Sequence, residues 1–345
     1  MTLSLPDLGW SAFFLGQCDA DALAHVSPCR LTGIHRDRVT ALGAMGPRTL
    51  TVPPPQTTGD LAVGDWVLAD AESRVTRCLA RQSLLSRRAA GREARVQLIA
   101  ANVDALFVTS SCSADFNPAR IERYLALAHE AGAFPVVVLT RADLVPDPES
   151  YRRRAEALAR NLTVLTVDAH DPADRAQLAA WCPKGRTGAL VGSSGAGKTT
   201  LLNGLTGEDA ATAPIRDDDA RGRHTTTGRA LRPIPGAGLL IDTPGMRELG
   251  LHDAAEAIDA VFDDIAGLAA GCRFADCRHS GEPGCAVAAA VDGGTLDPDR
   301  LARWQKLRRE DARTSESLAE ARRRDRGFGR MVKRALRDAD RRKGR

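Results

Sequence analysis

The residues whose types and spacing point most directly to chemistry run from Gly192 through Ser193, Ser194, Gly195, Ala196, Gly197, Lys198 and Thr199 to Thr200. They fit G-x-x-x-x-G-K-[ST], with the fixed positions at Gly192, Gly197, Lys198 and Thr199. Glycines let successive backbone N–H groups turn inward, and a following helix adds its partial positive charge, so such a loop cradles the phosphates of a nucleotide. Lys198 is expected to reach the β- and γ-phosphates and the Thr199 hydroxyl to bind Mg²⁺. The flanks fit: Gly188 to Val191 is a short apolar run suited to a buried strand, Leu201, Leu202 and Leu205 have helical spacing, and Gly207 can end the helix.

Three further stretches belong to the same chemistry. Asp242-Thr-Pro-Gly245 follows the apolar run Leu239 to Ile241 and begins 50 residues after Gly192. An Asp there holds Mg²⁺, usually through water, and the Gly245 N–H can meet a γ-phosphate. Between these motifs lies Arg221-Gly-Arg-His-Thr-Thr-Thr227, whose hydroxyls can close over the metal. Thr140-Arg-Ala-Asp143 follows another apolar run. A carboxylate at a strand's end can accept both N1–H and the amino group of guanine, whereas adenine would leave it unpaired.

A separate constellation is Cys272-x4-Cys277-x-His279-x5-Cys285. Three thiolates and one imidazole form a closed tetrahedral set for one structural Zn²⁺, with no open position for catalysis. The other five cysteines (Cys18, Cys29, Cys78, Cys112 and Cys182) are scattered and expected to be reduced.

The elements that must position these groups change along the chain. From about His25 to Gln97 short alternating segments such as Arg38 to Leu42 and Arg48 to Val52, broken by Gly and Pro, predict a small all-β barrel, with an OB-type barrel as one candidate. Ser83 to Arg95 is basic and is expected to be an exposed connector. From Val96 to about Glu248, continuous apolar runs alternate with helical spacing at Ile121, Tyr124, Leu125 and Ala128, predicting α/β with a mainly parallel sheet.

With 345 residues, 43% hydrophobic and 27% charged, the chain has the composition of a soluble protein of two or three domains. No apolar run approaches the roughly 20 residues that span a bilayer. Met1 to Ala20 places no basic residue before its short apolar patch, so a cytoplasmic, membrane-free protein is expected. Arg300 to Arg345 holds 18 basic and 7 acidic residues, a net +11 that leaves the remainder at −7 within the overall +4. That end, expected to be helical, is suited to an anionic partner such as RNA.

The order of the motifs carries a resemblance. The base-reading Thr140-Arg-Ala-Asp143 precedes the phosphate loop, while the threonine loop and Asp242-Thr-Pro-Gly245 follow it. Together with Val63-Gly-Asp-Trp66, Ala100-Ala-Asn-Val-Asp104 and the Cys/His knuckle, this permuted order resembles the RsgA/YjeQ family over nearly the whole chain. The resemblance implies a circularly permuted α/β P-loop GTPase domain, an N-terminal OB-type barrel that touches ribosomal RNA, and a C-terminal zinc-binding, largely helical domain. The expected division is an extension at 1–24, the barrel at 25–97, the GTPase domain at 98–265 and the zinc domain with its basic tail at 266–345.

It also implies GTP hydrolysis in late maturation of the small ribosomal subunit, stimulated by that subunit, by a protein expected to be monomeric. By position, Thr225 or Thr226 is the switch threonine, Asp242 and Gly245 belong to the second switch, and Asp143 selects guanine. The family's base motif begins Asn-Lys where this chain has Thr140-Arg141, and its next base-contacting turn is Ser-Ala where this chain has Asp168-Ala169. Arg141 can still lay its planar group over the base, while Thr140 lacks the bracing amide. Met246 stands where many GTPases carry a water-orienting Gln, so His224 becomes the candidate for positioning the attacking water. Two rivals are an RNA-binding scaffold with a vestigial nucleotide site and an ATP-using P-loop enzyme, which base preference separates.

Overall fold

The structure, a computed structural model, describes residues 3–19, 23–88, 96–207, 229–243, 251 and 253–315. Strands β1 (Ser27–Ile34), β2 (Val39–Gly43), β3 (Gly46–Leu50), β4 (Trp66–Ala69) and β5 (Val75–Cys78) form an antiparallel sheet in the order β3-β2-β1-β4-β5. Period-two alternation decides their faces: Val39 and Ala41 of β2 point inward, joining Cys29, Leu31, Leu50, Val67 and Val75 in a closed apolar core. The sheet's two edges meet. Thr51 N donates to Ser73 O at 3.0 Å and Val75 N donates to Thr51 O at 2.9 Å, which joins the end of β3 to the start of β5. Closure removes the exposed edges and gives the OB-type barrel.

The basic stretch after the barrel is only partly a connector. Leu84–Arg88 forms β6, paired antiparallel with β7 (Val96–Ala101), and Leu85 and Ser86 are buried. Arginines surrounding a single inward leucine hid the strand. β7 also runs across the expected join at 97/98, and residues 89–95 lie outside the described residues.

The central sheet comprises β8 (Ala105–Ser111), β9 (Phe134–Thr140), β10 (Thr163–Thr166), β11 (Thr187–Gly192), β12 (Ala230–Pro233) and β13 (Leu239–Asp242). Its order is β10-β9-β8-β11-β13-β12, parallel except for β12. β8 and β11 are buried along their whole length, their apolar middles and the polar ends Thr109 to Ser111 and Thr187 alike, as strands covered on both faces must be. After β8 the chain winds outward to β10 and then returns to the other side of β8 as β11. That reversal opens a crevice at the carboxyl ends of β8 and β11.

The N-terminal segment, including the short helix α1 (Ala12–Leu15), packs against the barrel through Phe14 on Trp66. Helix α2 (Pro118–Ala131) starts at Asn117, whose side chain accepts from Arg120 N, and ends at Gly132 in a left-handed conformation. It buries Ile121, Tyr124, Leu125 and Ala128, the four residues whose spacing predicted it. Helices α3 (Pro148–Glu156) and α4 (Pro172–Ala179) are each capped by an aspartate, Asp147 and Asp171, followed by proline.

Barrel and sheet are joined by two of the sequence motifs. Ala101 N donates to Val63 O at 2.8 Å, and Asn102 Nδ2 donates to Gly64 O at 3.0 Å. Gly64 has φ +91°, and a Cβ there would lie 2.2 Å from Ala101 O, so the approach requires glycine. Arg30 of β1 is buried behind this joint. Its guanidinium donates to Leu8 O, Asn102 O and Thr187 Oγ1 at 2.9, 2.9 and 3.1 Å, and burial lowers its pKa to about 10. Asp65, fully buried, receives Arg81 through Nε at 2.7 Å and Nη2 at 2.8 Å.

The C-terminal part contributes α6 (Ala255–Val261), α7 (Asp263–Ala269), α8 (Ala286–Asp292) and a helix at 298–315, α9. The expected helical tail is thus described as far as residue 315. A buried ionic seam ties α9 to α2. Glu122, with no exposed surface, accepts from Arg303 Nε at 2.8 Å and Arg300 Nη1 at 3.3 Å. Arg300 also grips Asp264 of α7 at 2.6 and 2.8 Å, and Arg123 pairs with Glu310. Burial pushes the Glu122 carboxyl up while both arginines pull it down. Glu122→Ala should lower unfolding free energy by about 3 kcal/mol, because it strands guanidinium charge in a low-dielectric seam. Denaturant unfolding within about 0.5 kcal/mol of the parent would show the seam to be only decorative.

Candidate nucleotide site and metal cluster

β11 delivers Gly192 to the crevice with φ +145°, where a Cβ would lie 2.2 Å from Thr109 O on β8. The loop then passes left-handed glycines at 195 and 197 and enters α5 (Lys198–Thr206), placing Thr199 and Thr200 in the helix's first turn. Lys198 Nζ folds back onto its own loop, donating to Gly192 O at 3.0 Å and Ser193 O at 2.5 Å. Such an arrangement presents inward N–H groups and an ammonium to an anion.

Asp242, at the end of β13, pairs in register with Leu190 of β11, so its carboxylate stands beside the strand that feeds the loop. Burial pushes its pKa up, opposed by the charges of Arg232 and Lys198. Thr243, buried, donates through Oγ1 to Leu190 O and fixes the turn that follows.

The motif expected to read the base is tied to the same loop. Thr140, at the end of β9 and buried, donates through Oγ1 to Ala196 O at 2.9 Å. Its hydroxyl therefore braces the loop itself, a contact that the sequence reading, concerned with the base, did not anticipate. Arg141 follows with φ +58° and starts a 3-10 turn, Ala142–Leu144, in which Asp143 stands exposed. The Asp168-Ala169 turn packs against α5: a Cβ on Gly204 would lie 2.9 Å from Ala169 O. Asp168 Oδ1 accepts from His170 N at 2.8 Å, and Asp168 N donates to Asp174 Oδ2 at 2.8 Å.

Thr140→Val keeps the shape at that position and removes the hydroxyl. Nucleotide affinity should fall about fivefold, corresponding to one modest hydrogen bond of about 1 kcal/mol, and Thr140→Ser should restore it. Equal titration curves for Val and wild type would mean that Ala196 needs no brace.

Gly192, Ser193, Ser194, Gly195, Ala196, Gly197, Lys198, Thr199, Thr200, Thr140 and Asp242 thus gather at one end of the sheet. His224, Thr225, Thr226, Gly245 and Met246 lie outside the described residues. Sequence reasoning missed Asp115, which accepts from Ser193 Oγ at 3.1 Å. The one local signal was Asn117-Pro118, a helix start that places the preceding loop at the strand's end.

The second constellation also assembles. The donor atoms of Cys272, Cys277, His279 and Cys285 all lie within 4.8 Å of one another. Cys272 Sγ and Cys285 Sγ are 3.9 Å apart, and each lies 3.5 Å from His279 Nδ1. Sulfurs in a disulfide sit at about 2.05 Å. Thiolates around a tetrahedral Zn²⁺ with bonds near 2.3 Å sit about 3.8 Å apart, so this set fits a metal. Cys285 caps α8, accepting from Ala288 N, and Gln305 Nε2 of α9 donates to His279 O at 3.2 Å. Among the described residues no helix is long and apolar enough to cross a membrane.

Comparison with known proteins bears on the whole arrangement. A family model described as RsgA GTPase matches residues 78–252. A small ribosomal subunit biogenesis GTPase RsgA from Mesorhizobium japonicum is 53% identical over 309 residues, covering 88% of this chain and 89% of that protein. A small ribosomal subunit biogenesis GTPase RsgA 2 from Vibrio vulnificus is 46% identical over 331 residues, covering 96% and 94%. Among solved structures, YjeQ from Thermotoga maritima superposes with a TM-score of 0.59 at 21% identity, covering 82% of this chain and 97% of that one. YloQ, a circularly permuted GTPase, gives a TM-score of 0.59 at 21% identity over 89% and 99%.

Proposed function

We propose, since this chain belongs to the RsgA GTPase family, that it hydrolyses GTP to GDP and phosphate in the maturation of the small ribosomal subunit. The observation that carries this reading is the convergence of the phosphate loop, Asp242 and Thr140 at the carboxyl end of one sheet. Each group comes from a different strand end, in the permuted order that separates this family from ordinary small GTPases. That subunit stimulates turnover, and hydrolysis times release from it.

In our reading the inward N–H groups of Gly192 to Thr200 hold the phosphates and Lys198 neutralises the charge between them. Asp143 selects guanine, with Arg141 and the Asp168-Ala169 turn flanking the base. Thr199, Asp242 and Thr225 or Thr226 would hold Mg²⁺, which draws charge off the phosphate oxygens. Gly245 closes on the terminal phosphate. His224 orients the attacking water; His224→Ala should then lower kcat with GTP affinity nearly intact, and a parallel fall in affinity would remove it from that role.

The metal of the Cys/His knuckle is Zn²⁺ in a structural role. The donor set supports this, since three thiolates and an imidazole leave no open position. The barrel and the basic C-terminal segment are the RNA-contacting surfaces, and the protein acts as a cytoplasmic monomer. The divisions at 24/25, 97/98 and 265/266 remain the working domain limits, with β7 spanning the second.

The deciding experiment measures GTP and ATP hydrolysis by the full chain alone and with small or large ribosomal subunits. GTP turnover rising only with small subunits is expected. Equal rates with either subunit would remove the ribosomal partner, and no turnover in any condition would leave an RNA-binding scaffold.

A further inference from the structure

Ser193 is held from two sides. Its carbonyl accepts from Lys198 Nζ at 2.5 Å, and its hydroxyl donates to Asp115 Oδ2 at 3.1 Å. Asp115 lies between β8 and α2, outside every nucleotide motif in the sequence. The same carboxylate oxygen accepts from Arg120 Nη1 at 3.1 Å, so its charge is balanced where an anionic ligand would approach. These groups border an open groove of about 520 Å³ that also includes Ser194.

We propose that Asp115 is a positioning residue for Lys198, acting through Ser193; this rests on the reading of the chain as a GTPase. The loop has few side-chain anchors, because Gly192, Gly195 and Gly197 all sit at positive φ and carry nothing to restrain them. Thr140 anchors its far end at Ala196, and Asp115 anchors its near end at Ser193. The near anchor fixes the peptide whose carbonyl Lys198 uses as a perch. Without it the Ser193 peptide can rotate, and the ammonium spreads over several positions when it must meet the β- and γ-phosphates. GDP lacks one of those contacts, so it should sense the loss less than a GTP analogue does.

The test is a double-mutant cycle on the full chain, with Asp115→Ala, Ser193→Ala and the pair, beside Asp115→Asn and Arg120→Met. Affinities for a non-hydrolysable GTP analogue and for GDP are measured with kcat/KM for GTP and the melting temperature. Asp115→Ala and Ser193→Ala should each weaken the analogue about fivefold, the size expected for the net loss of one ordinary hydrogen bond. The pair should be no worse than either single change, the mark of one shared interaction. Asp115→Asn can still accept the serine hydroxyl and should stay within about twofold of wild type, as should Arg120→Met.

Losses that multiply in the pair would overturn the proposal, because the two residues would then act independently. So would an Arg120→Met variant that reproduces the Asp115→Ala loss, which would place the effect in α2. A wild type that binds the analogue but does not hydrolyse GTP would defeat the GTPase reading, while the cycle in analogue affinity would still decide on Asp115.

Discussion

Lys198→Met should cut kcat/KM for GTP by about 10²- to 10³-fold while the protein stays folded. A preorganised donor aimed at developing charge contributes about that much when the surroundings exclude water. Lys198 is preorganised here, because Gly192 O and Ser193 O hold its ammonium over the loop. Methionine keeps the apolar stem and removes only the charge. One secondary effect follows: Asp242 loses a neighbour that opposes its burial and becomes easier to protonate. Single-turnover hydrolysis of GTP checks the result, with a melting curve as the control for folding. Turnover within about threefold of wild type would mean that another cation neutralises the phosphates.

Stripping the knuckle of its metal should have a different signature, local and structural. The hydrogen bonds of the segment 272–285 are mostly short-range, among them Arg273 N to Gly284 O at 3.0 Å and the Glu282 carboxylate accepting from Arg278 N and Ser280 N at 2.9 and 2.7 Å, while Gln305 Nε2 ties it to α9 through His279 O at 3.2 Å. Structural Zn²⁺ contributes about 10–16 kcal/mol of apparent binding free energy in small knuckles, far more than those bonds can replace. A chelator under reducing conditions should therefore release one zinc per chain and speed amide exchange at 272–292 by more than about tenfold. The strands of the central sheet should exchange as before, since the ionic seam at Glu122 holds α9 to α2 without the metal. Unchanged exchange across the knuckle after complete zinc loss would show that the four side chains merely pack together.

What the sequence made legible was local. Continuous apolar runs marked β8, β9, β11 and β13 because the middle of a strand buried on both faces favours apolar residues, polar ones such as Thr109 to Ser111, Thr140 and Thr187 falling at the strand ends, and the phosphate loop announced itself by glycine spacing. Cys272 to Cys285 was legible because a chelating loop keeps its ligands close in sequence.

What stayed hidden depends on distant pairing. Thr140 looked like a weakened base motif until its hydroxyl was seen to reach Ala196, 56 residues away. Glu122 lies in a helix beside Arg123, where a charged residue usually faces water; only Arg300 and Arg303 of α9 make its burial tolerable. The edge strand β12, Ala230–Pro233, is too short, and ends on a proline, to stand out from a loop, and it exists because β13 offers an open edge. Val63-Gly-Asp-Trp66 and Ala100-Ala-Asn-Val-Asp104 were visible as motifs, but that they bind each other required Gly64 and Ala101 to be seen in contact.

Arg30 sets a timetable for synthesis. The three hydrogen bonds of its terminal nitrogens are complete only when Leu8, Asn102 and Thr187 are all present, and the last of these is made 157 residues after Arg30 itself. A nascent barrel therefore leaves the ribosome with its own sheet pairings available and a strong cation facing a surface that does not yet exist. Burying that charge early would be costly, so the first strand should remain loosely sealed until β11 has emerged. Stalled chains ending shortly before and well beyond Thr187 should differ sharply in the protease resistance of residues 3–88. In this protein the first domain to be made would be among the last to be finished.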